Sequence, residues 1–235
     1  MRQKPRYWCI VPAAGVGSRM GASIPKQYLP LNDSTVIQQT LLKLTQIEHF
    51  EAIVICLSES DGWWQALEQP KDGRIEIALG GKERCDSVLN GLQHLTDKAQ
   101  DQDWVLVHDV ARPCVRTEDI LNLIEKATEH AVGGLLAVPV RDTMKRADNT
   151  GAVSETVCRE NLWHALTPQM FRFGDLKQAI TTSLQAGLPI TDEASAIEQQ
   201  GMNPLLVEGH ADNIKITHPE DLELAALFLK QQSVK

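Results

Sequence analysis

The densest chemistry in the chain lies near its start. Residues 12–20 read Pro-Ala-Ala-Gly-Val-Gly-Ser-Arg-Met, and Pro25-Lys26-Gln27 follows soon after. The stretch comes directly after an apolar run at residues 7–11. Glycines in that position let backbone N–H groups approach an anion, and Arg19 and Lys26 add positive charge. Two better-known phosphate loops do not fit. No Gly-x-x-x-x-Gly-Lys-Ser/Thr string occurs, and the dinucleotide fingerprint needs a small residue where Met20 stands. The loop reads as a site for a small polyanion. The competing reading is an ordinary strand-to-helix connection that carries two exposed cations.

A second signal is Val105-Leu106-Val107-His108-Asp109-Val110-Ala111-Arg112-Pro113. An acid ends a buried strand, and an arginine stands three residues on. Open α/β sheets bind ligands at the carboxyl ends of strands, where the strand order reverses. The first and fourth strands commonly flank that point. Asp109 is therefore expected to face the glycine loop across a crevice, where a carboxylate can hold Mg2+ or another divalent cation on a polyphosphate. The alternative is a helix-capping Asp paired with Arg112. Farther on, residues 208–215 set acids and bases around an expected strand start. Lys215 needs a partner there, because a lysine in a short apolar strand is costly to bury alone. Thr191-Asp192-Glu193 reads as the cap of a following helix. His108, His164 and His210 lack metal-ligand spacing and read as structural, and Trp63 and Trp64 read as packing residues.

The elements that must position these groups alternate. Short continuous apolar runs at 7–11, 52–57, 75–79, 104–108 and 135–138 suit parallel strands buried on both faces. Helical patterns lie between them, at 35–44, 84–95 and 117–130, the last opening on a cap-like Thr117 and two acids. Residues 141–160 break the pattern. They are polar, alternate with period two around Asp148-Asn149-Thr150-Gly151, and predict a β-hairpin arm with few residues to feed a core. Helices are expected again at 175–186 and 192–200, strands at 204–207 and 213–216, and a last helix from Pro219 to residue 229. The expected architecture is α/β: a Rossmann-like, mostly parallel, doubly wound sheet in one domain spanning 1–235, with the arm projecting at about 141–160.

Composition narrows the partners. The 235 residues carry a net charge of −8 and only 5% aromatics, which argues against a nucleic-acid surface yet leaves room for a local cluster of cations. Five cysteines without a Cys-x-x-Cys pair suit a reducing cytoplasm rather than a disulfide framework or zinc site. Residues 1–16 read as a buried first strand rather than a secretion signal, and no run approaches the ~20 apolar residues of a membrane helix.

Taken in order, the strings Pro-Ala-Ala-Gly-x-Gly-x-Arg-Met, Pro-Lys-Gln-Tyr, Gly-Gly-x-Glu-Arg-x-Asp-Ser-Val, Val-His-Asp-x-Ala-Arg-Pro, Pro-Val-x-Asp-Thr-Met-Lys, Leu-Trp-x-Ala-x-Thr-Pro-Gln, Thr-Asp-Glu-Ala-Ser and Asp-Asn-Ile-Lys-Ile-Thr resemble the 2-C-methyl-D-erythritol 4-phosphate cytidylyltransferase family over essentially the whole chain. Val110 stands where alanine is common in that family. The resemblance implies transfer of CMP from CTP to the phosphate of methylerythritol phosphate, with release of pyrophosphate, in the non-mevalonate isoprenoid pathway. It implies that Arg19 and Lys26 stabilise the reacting triphosphate. Ala13, Ala14, Gly15, Gly81 and Ser87 would form the nucleotide pocket, and Asp109 would neighbour Mg2+ and ribose. Arg112, Thr167, Thr191, Asp212 and Lys215 would contact acceptor or phosphate, Lys215 with a catalytic share. Thr143 and catalytic Arg159 would come from the arm of a neighbouring subunit, in a homodimer with exchanged arms. A ribitol 5-phosphate cytidylyltransferase and a CTP-binding protein without turnover are the alternatives.

Overall fold

Side chains along the first strand alternate between two separate cores. The structure, a computed structural model, describes residues 4–15, 17, 20, 21 and 24–233. In β1 (Tyr7–Pro12), Cys9 and Val11 face one side, and Trp8 and Ile10 the other. The same split recurs in β4 (Phe50–Leu57), where Ile53 and Ile55 oppose Val54 and Cys56. Strands buried on both faces need no polar alternation, which is why they read as unbroken apolar runs.

With β5 (Ile75–Leu79), β6 (Trp104–Val107), β7 (Gly133–Pro139), β10 (Trp163–Arg172) and β11 (Leu205–Glu208), these form a seven-stranded sheet ordered β11-β7-β10-β6-β1-β4-β5. All its ladders are parallel except the two that β10 makes. Helices α1 (Val36–Thr45) and α3 (Thr117–Glu129) cover one face through Ile37, Leu41, Leu44, Ile120 and Leu123. Helices α2 (Arg84–His94), α4 (Phe173–Gln185) and α5 (Glu193–Glu198) cover the other through Val88, Leu92, Leu176, Ile180 and Ile197. A third, smaller cluster seats α6 (Pro219–Ser233) by Ala225 and Leu229 against Leu31, Val36 and Ile216. The mostly parallel, doubly wound sheet thus stands as expected.

One central strand is not among the expected ones, and two expectations need correction. β10 is a central strand that apolar periodicity does not reveal, because Pro168 and the buried polar residues Thr167 and Gln169 interrupt it. Its ladder with β7 shifts register between Ala165 and Gln169, so Pro168 is not asked for a ladder N–H. Residues 213–216 are not a strand; Ile216 N donates to Ala111 O at 2.8 Å without forming a ladder. Thr117 does not cap α3: Arg116 holds that position, and the Thr117 hydroxyl donates to Gln46 Oε1.

Apart from two short strands, β2 (Pro30–Leu31) and β3 (Ser34–Thr35), the remaining sheet is a hairpin of β8 (Met144–Ala147) and β9 (Val153–Val157). Its turn closes on Asp148, whose Oδ1 accepts from Thr150 N and Ala152 N. Nearly every residue of the hairpin is exposed.

Candidate active site

The chain leaves β1 for β4 on one side and returns to β6 on the other, so the carboxyl ends of β1 and β6 bound the reversal of strand order. A cavity of about 510 Å3 opens there. It is lined by Pro12, Ala13, Ala14, Gly15 and Gly17, by Lys26 and Gln27, by Gly81 through Arg84 with Ser87, and by Asp109, Val110, Ala111 and Lys215. Local packing explains how the glycine loop presents Lys26. Gly17 has φ +66°, and a Cβ on it would come within 2.9 Å of Lys26 Cγ, so only glycine lets the lysine stem lie against the loop. Gln27 ties the turn to β1 by donating to Ala13 O at 2.7 Å, and Lys26 Nζ donates to Ile216 O at 3.0 Å. Across the cavity, Gly81 sits tightly against Asp86 of α2, and its N–H donates to Ser87 Oγ at 2.9 Å.

Asp109 is the electrostatic centre, only 6% exposed. Its Oδ1 takes Arg84 Nε at 2.7 Å and its Oδ2 takes Lys215 Nζ at 2.7 Å, with Arg112 Nε farther off at 3.8 Å. Burial alone would raise its pKa. Arg84 and Lys215 outweigh that and hold the carboxyl well below the usual carboxylate range. The pairing of Asp109 is therefore with Arg84 and Lys215 first, not with Arg112 as a capping reading would have it. Arg84 in turn binds Glu193 twice, Nη1 to Oε1 at 2.7 Å and Nη2 to Oε2 at 3.0 Å. Burial works against the Arg84 charge, and Glu193 with Asp109 more than restores it. Neither Arg84 nor Glu193 stands out as a site residue in the sequence. The available signals were the Gly-Gly-x-Glu-Arg string and an acid at a helix start, which reads as capping.

Behind Asp109 a directed chain of hydrogen bonds holds the end of β6. The Arg112 carbonyl can only accept, so His108 donates through Nε2, at 3.1 Å. Its Nδ1 then accepts the Thr167 hydroxyl at 3.0 Å, and Thr167 Oγ1 accepts the Asp109 N–H at 3.1 Å. Burial pushes the His108 pKa down to about 4, so the ring stays neutral and the chain keeps its direction near pH 7. Loop 209–216 is pinned at successive residues. Asp119 accepts from His210 N at 3.0 Å and pairs with His210 Nδ1 at 2.8 Å, and Asp212 Oδ2 accepts from Arg116 Nη2 at 2.7 Å. Arg112 Nη1 donates to Asn213 O at 2.7 Å, and Asn213 Nδ2 to Thr167 O at 2.8 Å. Glu118, Asp119 and His210 each bring a ligand atom within 4.8 Å of the others, a grouping that their separation in sequence hides.

The cavity brings together Ala13, Ala14, Gly15, Lys26, Gly81, Ser87, Asp109 and Lys215. Arg112 touches Asp109 but does not line the cavity, and Thr167 lies behind it with its hydroxyl spent on His108 and Asp109. Asp212 faces a separate cavity of about 270 Å3 beside Lys43, Arg116 and Gln232. Thr191 is exposed and is not the α5 cap; that place belongs to Asp192, which accepts from Ser195 N at 2.9 Å. Thr143 and Arg159 are exposed at the base of the hairpin, where Arg159 Nη1 donates to Arg141 O. Arg19 lies outside the described residues.

The chain is 53% identical over 231 residues to the 2-C-methyl-D-erythritol 4-phosphate cytidylyltransferase of Shewanella halifaxensis, covering 98% of this chain and 99% of that one. It is 52% identical over 229 residues to the protein of that name from Hahella chejuensis, covering 97% and 95%. The crystal structure of the Francisella tularensis 2-C-methyl-D-erythritol 4-phosphate cytidylyltransferase is similar at a TM-score of 0.83 and 37% identity, over 95% of this chain and 99% of that one. The profile of the family matches residues 8–231. With a cation-rich crevice at the switch point and relatives alike from end to end, the chain belongs to the 2-C-methyl-D-erythritol 4-phosphate cytidylyltransferase family.

Proposed function

We propose that the chain transfers CMP from CTP to 2-C-methyl-D-erythritol 4-phosphate in the non-mevalonate isoprenoid pathway, giving 4-diphosphocytidyl-2-C-methyl-D-erythritol and pyrophosphate. The observation that carries this reading is the meeting of Lys26, Lys215, Arg84 and Asp109 in one crevice between β1 and β6. An oxygen of the acceptor phosphate attacks the α-phosphorus of CTP. The bond from that phosphorus to the oxygen bridging the β-phosphate breaks, and pyrophosphate leaves with the electron pair. Two polyanions must be brought together, so positioning and charge neutralisation carry the rate. Lys26 and Arg19 neutralise the triphosphate at the reacting phosphorus. Lys215 draws in the acceptor phosphate, with Arg112 adding charge from behind Asp109; Thr167 contributes by holding the Asp109 backbone, while Thr191 and Asp212 lie off the cavity lining. The backbone around Ala13, Ala14, Gly15 and Gly81, with Ser87, receives the base.

The donor set suits a divalent cation of the Mg2+ kind. Each Asp109 oxygen has one close cationic partner, which leaves lone pairs free, and a single protein carboxylate beside substrate phosphates is how Mg2+ is usually held. When bound there, the ion supplies charge neutralisation on the triphosphate. Asp109 is the residue that would hold it.

The hairpin at 141–160 completes the site of a second copy of the chain, bringing Thr143 and Arg159 to its acceptor in a two-fold dimer. Its exposed strands support this, since a lone two-stranded hairpin is marginal in water. The setting is the cytoplasm, in keeping with five free cysteines and with the lack of any helix among the described residues long and apolar enough to cross a membrane.

Pyrophosphate release from CTP and Mg2+, assayed with methylerythritol phosphate and with ribitol 5-phosphate, tests the reading. Release with the first acceptor is expected. Preference for ribitol 5-phosphate would reassign the acceptor, and CTP binding without release with either would make the chain a nucleotide-binding protein.

A further inference from the structure

Glu193 does not line the cavity, yet it decides how the cavity's carboxylate is held. It is 1% exposed, and both its oxygens are taken by the two terminal nitrogens of Arg84. That leaves Arg84 only Nε to offer Asp109, which receives it on Oδ1 at 2.7 Å. Oδ2 is then open to Lys215 Nζ at 2.7 Å. Four charges alternate in sign from α5, through the first residue of α2, to the end of β6 and the loop after β11. The far end is anchored to β10. Gln169 Nε2 donates to Asp192 Oδ2 at 2.8 Å, and its Oε1 accepts from Ala194 N at 2.7 Å, so the residues on both sides of Glu193 are fixed.

A guanidinium next to a carboxylate prefers the two-pronged, fork-to-fork pairing. In this chain Glu193 occupies the fork. Without its charge, Arg84 is free to turn both terminal nitrogens onto Asp109, covering the oxygen that now faces Lys215. We propose that Glu193 is a positioning residue for cytidylyl transfer, which keeps Arg84 from closing on Asp109 and so keeps one Asp109 oxygen, with Lys215 beside it, turned toward the incoming triphosphate. The proposal rests on the CTP reading above.

The test is Glu193→Gln, which keeps the size and removes the charge, measured by steady-state kinetics, by the Mg2+ concentration for half-maximal rate, and by calorimetric CTP affinity without acceptor. Supporting groups one shell out typically cost ~10–100-fold when lost, and kcat/KM is expected to fall by at least ~10-fold, with weaker CTP binding and a higher Mg2+ requirement. Arg84→Met with and without Glu193→Gln closes a double-mutant cycle. If Glu193 acts only through Arg84, the double variant is no worse than Arg84→Met alone, within about twofold. Glu193→Asp keeps the charge one methylene short and is expected to lose only ~3-fold, which serves if the glutamine variant folds poorly. Wild-type kinetics in the charge-free variant, losses that multiply in the double variant, or a lower rate at unchanged CTP affinity and Mg2+ requirement would each overturn the proposal. The calorimetric arm needs no turnover. A wild-type chain that binds CTP but releases no pyrophosphate therefore sinks the transfer reading while leaving the Glu193 effect measurable.

Discussion

Charged side chains gather in two regions of this molecule, and they are held in opposite ways. In the crevice, Arg84 and Lys215 sit on carboxylates that are almost fully buried, Asp109 and Glu193. In the hairpin, Arg146 pairs with Glu155 at 2.5 Å and Lys145 Nζ donates to Thr156 Oγ1 at 2.6 Å, all on exposed strands. Exposed pairs of this kind contribute little and are screened by salt, whereas buried ones keep a fixed geometry. One region is preorganised by its own chain. The other is held by contacts between its own two exposed strands.

The sharpest way to break the comparison is Lys26→Ala. If the crevice is preorganised for charge developing at the α-phosphate, kcat should drop by ~10²–10³-fold while CTP still binds. An unchanged kcat with only a raised KM for CTP would mean that Lys26 contributes uniform binding. The hairpin is tested by mixing Lys26→Ala and Arg159→Ala chains under conditions of subunit exchange. If Arg159 serves the partner's crevice, each mixed dimer regains one intact site, and about a quarter of the wild-type sites should return. No recovery, with exchange confirmed independently, would place Arg159 in its own subunit's site. The smallest effect is a difference in thiol reactivity. Cys158, exposed beside Arg159, should react with an aromatic disulfide at once in dilute protein, and more slowly at high concentration if the proposed dimer covers the hairpin. Burial pushes the Cys56 and Cys114 thiols up to about 12, so these should stay silent until the chain unfolds. Equal labelling rates for Cys158 and Cys56 would erase the distinction between the two regions.

Much of the frame is legible in the sequence because parallel strands buried on both faces leave continuous apolar runs. The expected strand at 75–79 matches β5 end to end, and the glycine loop and Asp109 line the same cavity. What escapes is the polar interior. Thr167 and Gln169 look like loop residues, yet they occupy a central strand because their side chains hold His108, Asp109, Asp192 and Ala194 in place. Arg84 and Glu193 are 109 positions apart, and no local spacing encodes a pair that only α2 and α5 bring together. Asp192, not Thr191, caps α5, a distinction of one residue that composition at a helix start does not resolve.

The antiparallel strand also bears on how the chain is made. β10 fills the gap between β6 and β7, strands that are emitted before it and that cannot pair with each other once the sheet is complete. On the ribosome, β1, β4, β5 and β6 can join as soon as residue 107 has emerged, leaving the outer edge of β6 with unpaired N–H and C=O groups. At ~5–20 residues per second, seconds pass before Trp163–Arg172 arrives to cover it. During that interval the nascent chain presents an apolar edge, Trp104 to Val107, of the kind that recruits chaperones or pairs with a neighbouring chain. The strand that steadies Asp109 in the finished protein is thus also the one whose late arrival leaves the β6 edge open during synthesis.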